Sequence, residues 1–200
     1  MSSGRLLLAT NNKAKVREYR VLLEGIPCEI ITPAELGITQ PVEESGETLE
    51  QNAVLKAKAY ASMSNLTALA DDSGLEVDAL GGEPGVLSAR YAGEGVSDRE
   101  RIEYLLAKLT DVPWEQRGAR FRCVIAVASP DGEVTLCQGE CPGIIAFEPK
   151  GMGGFGYDPV FYLPEPDKTM AELSMEQKNR LSHRGRAAME ARNILVNKEL

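Results

Sequence analysis

The sequence predicts an α/β fold: a mixed, twisted central sheet flanked by helices. Three observations carry this. Two apolar runs, residues 6–9 and 66–70, break into polar turns in the manner of buried strands. The first is followed by Val16, Tyr19, Leu22 and Leu23, which share one face of a helix. Residues 120–128 alternate, meet a Pro130-Asp131-Gly132 turn and are answered by residues 133–139, so at least one pair of strands is antiparallel.

Taken in order, residues 5–10 form the first strand, which breaks at Thr10-Asn11-Asn12-Lys13-Ala14-Lys15 into the first helix. A strand, a polar turn and a helix start aim free backbone N–H groups at an anion, and Asn12 and Lys15 add a neutral donor and a cation. The same turn would also serve as an ordinary helix cap. Residues 29–32 form a second strand, followed by the loop Pro41-Val42-Glu43-Glu44-Ser45-Gly46. Thr48 and Gln51 then make a capping box for a helix on which Asn52 and Lys56 share a face. Glu43 and Glu44 are metal candidates of second rank.

The strand at 66–70 runs into Asp71-Asp72-Ser73-Gly74 and is expected to deliver charge at its tip, where ligands sit in open α/β sheets. Two adjacent acids can hold Mg²⁺ together, or one can hold it while the other activates water. Those four residues also make a plain solvated turn. Residues 75–80 extend a hairpin, residues 81–85 are loop, and Ser97 with Glu100 caps a helix carrying Ile102, Leu105, Leu106 and Leu109. After the hairpin, residues 143–148 form a further strand.

Gly151-Met152-Gly153-Gly154-Phe155-Gly156 matches the dinucleotide fingerprint by spelling alone. That fingerprint needs a helix starting at its glycines, and Pro159 disfavours helical geometry at Asp158, so a dinucleotide fold is rejected. A glycine-rich loop with one phenylalanine instead presents an aromatic face to a flat ligand, or tucks that ring into the core. Thr169 with Glu172 and Ser174 with Gln177 form two more capping boxes, and Ser182 caps a last helix that opens with His183 and Arg184. An arginine in a helix's first turn opposes the macrodipole, which hints at a purpose other than stability.

The 200 residues suit a single domain spanning 1–200, and the composition, 43% hydrophobic and 26% charged, is that of a globular protein. A net charge of −8 argues against a grip on nucleic-acid polymers, which needs many phosphate-neutralising cations. No apolar run is long enough to span a membrane, and the N-terminus lacks a signal pattern, so a cytoplasmic location is expected. Four cysteines without Cys-x-x-Cys spacing and one histidine make a zinc site improbable and reduced thiols the default.

Thr10-x-Asn12-x-x-Lys15, Glu44 ahead of Asn52-x-x-x-Lys56, Asp71-Asp72-Ser73-Gly74, Gly154-Phe155-Gly156-Tyr157-Asp158-Pro159 and Ser182-His183-Arg184-Gly185 occur in that order. Together they closely resemble the inosine/xanthosine triphosphate pyrophosphatase family of house-cleaning nucleotide hydrolases, over residues 6 to about 195. One departure is Asn11, where that family often has glycine. The resemblance implies Mg²⁺-dependent hydrolysis of ITP, dITP and XTP to monophosphate and pyrophosphate. It also implies two lobes with an active-site cleft between them, and a homodimer.

By the same resemblance, Thr10, Asn12, Lys15 and Lys56 hold the triphosphate, with Asn11 and Lys13 beside them. Glu44 and Asp72, with Glu43 and Asp71 in support, place Mg²⁺, and Asp72 activates the water that attacks the α-phosphorus. Phe155 stacks on the purine, flanked by Gly156 and Tyr157. Lys178, His183 and Arg184 donate to the 6-carbonyl, Asp158 accepts a ring N–H, and Ser73 touches substrate. Two rival readings are a pyrophosphatase selecting other modified nucleotides and a non-catalytic nucleotide sensor, which gains nothing from paired carboxylates unless it uses a metal.

Overall fold

A computed structural model describes residues 4–197. The first strand, β1 (Gly4–Leu8), is buried through Leu6, Leu7 and Leu8. Asn12 then caps α1 (Lys13–Leu22), its side-chain oxygen accepting from the N–H groups of Ala14 and Lys15 at 2.9 and 3.2 Å. Strand β2 (Cys28–Ile31) precedes α2 (Leu49–Ser64), and Thr48 accepts from Gln51 N at the N-terminus of α2. The capping box expected there is only half made: Gln51 Oε1 reaches back one residue further and accepts from Glu47 N at 2.7 Å.

The third strand departs most from expectation. β3 spans Thr67–Val77, so Asp71-Asp72-Ser73-Gly74 lies in the middle of an extended strand and neither at its tip nor in a turn. The local turn preference of these residues is overridden by pairing. Leu75 and Glu76 pair with β4 (Pro84–Gly85), and a Cβ on Gly74 would run into the Gly85 carbonyl oxygen, so only glycine admits this approach. Ser88 Oγ fastens the junction, donating to Gly85 O and accepting from Leu75 N at 2.6 and 2.8 Å.

Next come α3 (Asp98–Lys108), β5 (Gly118–Ala128), β6 (Val134–Ile145), β7 (Phe161–Leu163), β8 (Lys168–Thr169), α4 (Met175–Leu181) and α5 (His183–Asn197). The capping boxes of Ser97 with Glu100, Thr169 with Glu172 and Ser174 with Gln177 all form. The two strands expected at 133–139 and 143–148 are one continuous β6, because Ile144 and Ile145 pair with β7 beyond Pro142. Among the described residues the strand order is β2-β1-β3-β5-β6-β7-β8, with β4 on β3. β1 runs parallel to β2 and β3, while the β3–β4, β6–β7 and β7–β8 pairs are antiparallel, giving the mixed sheet.

The chain divides into two compact units, and β3, β5 and β6 contribute residues to both. The first takes residues up to 72, 123–139 and those from 184 onward; Leu6, Leu8, Tyr19, Leu69, Ile125, Ala187 and Leu195 make its core. The second takes 73–122 and 140–183, with a core that includes Leu75, Ile102, Leu105, Phe121, Ile145 and Phe161. Among the described residues no helix is long and apolar enough to cross a membrane.

Candidate active site

In the first unit, β3 sends Asp71 and Asp72 to opposite faces of the sheet, because successive strand residues alternate. Each meets its own lysine. Asp71, 3% exposed, lies 2.8 Å from Lys15 Nζ of α1 and 3.6 Å from Arg184 Nε of α5. Asp72, 7% exposed, lies 3.6 Å from Lys56 Nζ of α2, which also meets Glu44 at 2.6 Å. The helices fall on opposite faces because the connection turns left from β1 to β2 and back right to β3, and parallel crossovers are right-handed.

These surroundings split two chemically identical acids. Burial opposes ionisation of Asp71, but Lys15, Arg184 and Lys56 outweigh it and hold the carboxyl far below the usual range. At Asp72 burial prevails: with Glu44 and Asp71 adding like charge, it raises the carboxyl above its ordinary value against the pull of Lys56 and Lys15. Burial also works against the charge on Lys56, yet Asp72, Asp71 and Glu44 overcome it and raise that lysine. Asp71 is therefore a permanently charged ion-pair member, and Asp72 is the carboxylate with proton affinity to spare.

One lysine ammonium within reach of both Glu44 and Asp72 marks a place where two carboxylates converge on a cation. Asp72 Oδ2 is buried and has no hydrogen-bond partner among the described residues. Among the described residues no cluster of three or more His, Cys, Asp or Glu side chains is arranged for a metal. Two carboxylates that converge on one cation suit Mg²⁺, which takes one or two protein carboxylates and completes its shell with water and phosphate. Glu43 is exposed and stands outside these Lys56 contacts.

At the Thr10–Lys15 turn the helix-cap role and the anion-binding role coexist. The Asn12 oxygen is spent on the cap, which leaves its amide N–H₂ as the outward donor. Thr10 Oγ1 accepts from Asn12 N at 3.2 Å and shapes the turn, while Asn11, Asn12 and Lys13 are exposed.

The second unit holds the aromatic loop. No helix starts at its glycines; a short 3-10 turn, Asp158–Val160, follows instead, as the rejection of a dinucleotide fold requires. Asp158 is buried and organises this loop: Oδ2 accepts from Phe155 N at 2.8 Å and pairs with Lys178 Nζ at 2.6 Å. Gly154, at φ +73°, packs where any Cβ would collide with that carboxylate. Lys178 Nζ sits 4.9 Å from the centroid of the Phe155 ring, so the loop's ring and a base-reading candidate come together. Gly156 N donates to Asp98 at 2.6 Å and Tyr157 OH to Ser88 O at 3.0 Å. His183 stacks on Phe121 with centroids 4.6 Å apart, and Ser73 is half-buried.

Arg184, expected to read the base, is 2% exposed and donates to Glu18 at 2.7 Å besides lying beside Asp71. Glu18 and Asp98 lie outside the sequence motifs, and Asn52 stands in one of them with no role that its spelling assigns. Glu18 carried a signal, an acid on the helix face next to apolar Tyr19; Asp98 carried none, since an acid at a helix start is ordinary.

A profile of the Ham1 family matches residues 6–194. A dITP/XTP pyrophosphatase of Desulforamulus reducens is 52% identical over 191 residues, covering 96% of this chain and 95% of that protein. The dITP/XTP pyrophosphatase of Bacillus subtilis is 47% identical over 189 residues, covering 94% and 96%. Among solved structures, a HAM1 protein from Coxiella burnetii superposes with TM-score 0.89 at 40% identity, covering 98% of this chain and all of that one (100%). The Ham1 protein of Staphylococcus aureus gives 0.87 at 46% identity, with the same coverage of 98% and 100%.

Proposed function

The chain belongs to the Ham1 family, and from that premise we propose that it hydrolyses deaminated purine nucleoside triphosphates (ITP, dITP and XTP) to the monophosphate and pyrophosphate. The observation that carries the mechanism is the placement of Asp71 against Lys15 and Arg184 and of Asp72 against Lys56. A water oxygen attacks the α-phosphorus and passes its proton to Asp72 Oδ2, the buried oxygen without a partner. The bond from the α-phosphorus to the bridging oxygen breaks, and pyrophosphate leaves with that oxygen. Thr10, Asn12, Lys15 and Lys56 bind the triphosphate, with Asn11 and Lys13 at the rim of that turn.

Glu44 and Asp72 are the residues that would hold Mg²⁺, which supplies neutralisation of the charge developing on the phosphate oxygens. The sequence reading also offered Glu43; the Lys56 contacts favour Glu44. Asp71, locked between Lys15 and Arg184, keeps both cations oriented.

For the base, Phe155 offers a stacking face, and Lys178, His183 and Arg184 are donors suited to the 6-carbonyl of hypoxanthine or xanthine. Adenine presents an amino donor at that position and faces donor to donor. Asp158 serves first to hold Lys178 and the Phe155 backbone, and through them the donor set. Ser73 adds a hydroxyl next to the working acid. The functional module is the single domain 1–200, acting in the cytoplasm as a homodimer.

Product analysis with ITP and Mg²⁺ in ¹⁸O water tests this. Pyrophosphate together with ¹⁸O in the monophosphate is expected; ¹⁸O in pyrophosphate moves the attack to the β-phosphorus. Diphosphate plus phosphate moves it to the γ end. No turnover of any purine, with turnover of a modified pyrimidine triphosphate, would shift the substrate class.

A further inference from the structure

We propose that Asn52 is a positioning residue that sets the affinity of the metal site by tethering the loop that carries Glu44; this rests on the functional reading above. Asn52 lies on α2 one helical turn before Lys56 and is 1% exposed. Its Oδ1 accepts from Gly46 N at 2.8 Å, and Gly46 is two residues after Glu44. The approach is close: a Cβ on Gly46 would meet both Asn52 Oδ1 and Gln51 Cβ at 2.7 Å. One helix face therefore fixes the loop at two points, Asn52 to the Gly46 backbone and Lys56 to the Glu44 carboxylate at 2.6 Å.

The other half of the Asn52 amide argues against a role in stability alone. Its Nδ2 is buried with no hydrogen-bond partner among the described residues, an unmatched donor that burdens the fold. Asparagine is also a poor residue for a helix interior. A side chain that costs the fold in both respects earns its place through the oxygen it presents to Gly46. Outer partners that orient a ligating carboxylate typically govern metal affinity by 10–100-fold.

The test is Mn²⁺ binding to the full-length protein without nucleotide, followed by the electron paramagnetic resonance of free Mn²⁺, with circular dichroism to confirm the fold. Asn52→Ala should weaken Mn²⁺ binding about 10–100-fold. Asn52→Asp, which still offers an oxygen to Gly46 N, should restore affinity to within about threefold of the wild type or better. Gly46→Ala pushes the same loop away from α2, because the added Cβ meets Asn52 Oδ1 and Gln51 Cβ, keeps the Asn52 side chain itself and should weaken binding likewise, so the proposal is testable even where Asn52→Ala fails to fold. Unchanged Mn²⁺ affinity in folded Asn52→Ala or Gly46→Ala overturns the proposal, as does Asn52→Asp binding no better than Asn52→Ala. Absence of Mn²⁺ binding in the wild type instead overturns the metal site itself.

Discussion

Replacing each of the two central acids by its amide should give opposite phenotypes. Asp72→Asn removes the carboxylate with raised proton affinity, and general-base assistance is worth about 10²–10⁴ in rate. A carboxyl whose folded value is raised stabilises the fold only below its unfolded value near pH 4, and that contribution is lost as pH rises through the folded value. At neutral pH the ionised Asp72 is thus a burden, and Asp72→Asn should match or exceed the wild type in stability. Lys56 retains Glu44 as a partner in that variant.

Asp71→Asn is the reverse case. It strips the shared carboxylate from Lys15 and Arg184, both largely buried, and breaking a buried pair by removing one partner costs about 3–5 kcal/mol. For a chain of this size that lowers the melting temperature by roughly 6–20 °C, at 2–4 °C per kcal/mol. Pyrophosphate release from dITP at saturating Mg²⁺ measures the first effect and metal-free thermal melting the second. Asp72→Asn with near wild-type turnover, or Asp71→Asn with wild-type melting, would refute the division of labour.

Three further outcomes are expected. Phe155→Ala should lower kcat/KM for dITP roughly 5–150-fold, the worth of about 1–3 kcal/mol of base stacking, chiefly through KM; a fall in kcat at constant KM would count against stacking. Burial pushes the Cys123 and Cys137 thiols up to about 12; it raises Cys28 as well, but that thiol is only half-buried and open to reagent. A thiol held above its unfolded value stabilises fully below about pH 8.5, and this is lost as pH rises toward the folded value. Urea unfolding should therefore lose about 2 kcal/mol per thiol between pH 8.5 and 10, and a disulfide reagent at pH 8 should label Cys28 alone; an unchanged pH dependence in Cys123→Ala would contradict this. Gly74→Ala should destabilise by about 1–3 kcal/mol through the clash with the Gly85 carbonyl, and a wild-type melting temperature would show that β4 yields freely.

Much of the fold is legible in local pattern. The apolar run at Leu6–Leu8, the capping residues Ser97, Thr169 and Ser174, and the Pro130-Asp131-Gly132 turn each dictate their element from within a few residues. What escapes is set by distant partners. Asp71-Asp72-Ser73-Gly74 has every local mark of a turn, yet β4 and the cations of α1, α2 and α5 keep it extended. The broken look of β6 at Gly139 and Pro142 is likewise repaired by pairing with β7. The site shows the same limit. Spelling brings out the acid pair and the lysines, but no local rule says that Lys15 and Arg184 converge on one acid and leave the other with Lys56 and Glu44.

That allocation follows from the pleat. Two adjacent acids on one loop would share a single cation cloud and titrate as a pair. On a strand they face apart, so each finds its nearest cations on different helices, Asp71 on α1 and α5 and Asp72 on α2. The α1–α5 side supplies permanent cations and freezes Asp71 as a charge; the α2 side supplies one lysine already shared with Glu44 and leaves an Asp72 oxygen idle. The extended strand, which the sequence disguises as a turn, is thus the reason one acid can work while its neighbour holds. Converting this stretch to a real turn would merge the two environments and abolish the difference on which the proposed proton transfer depends.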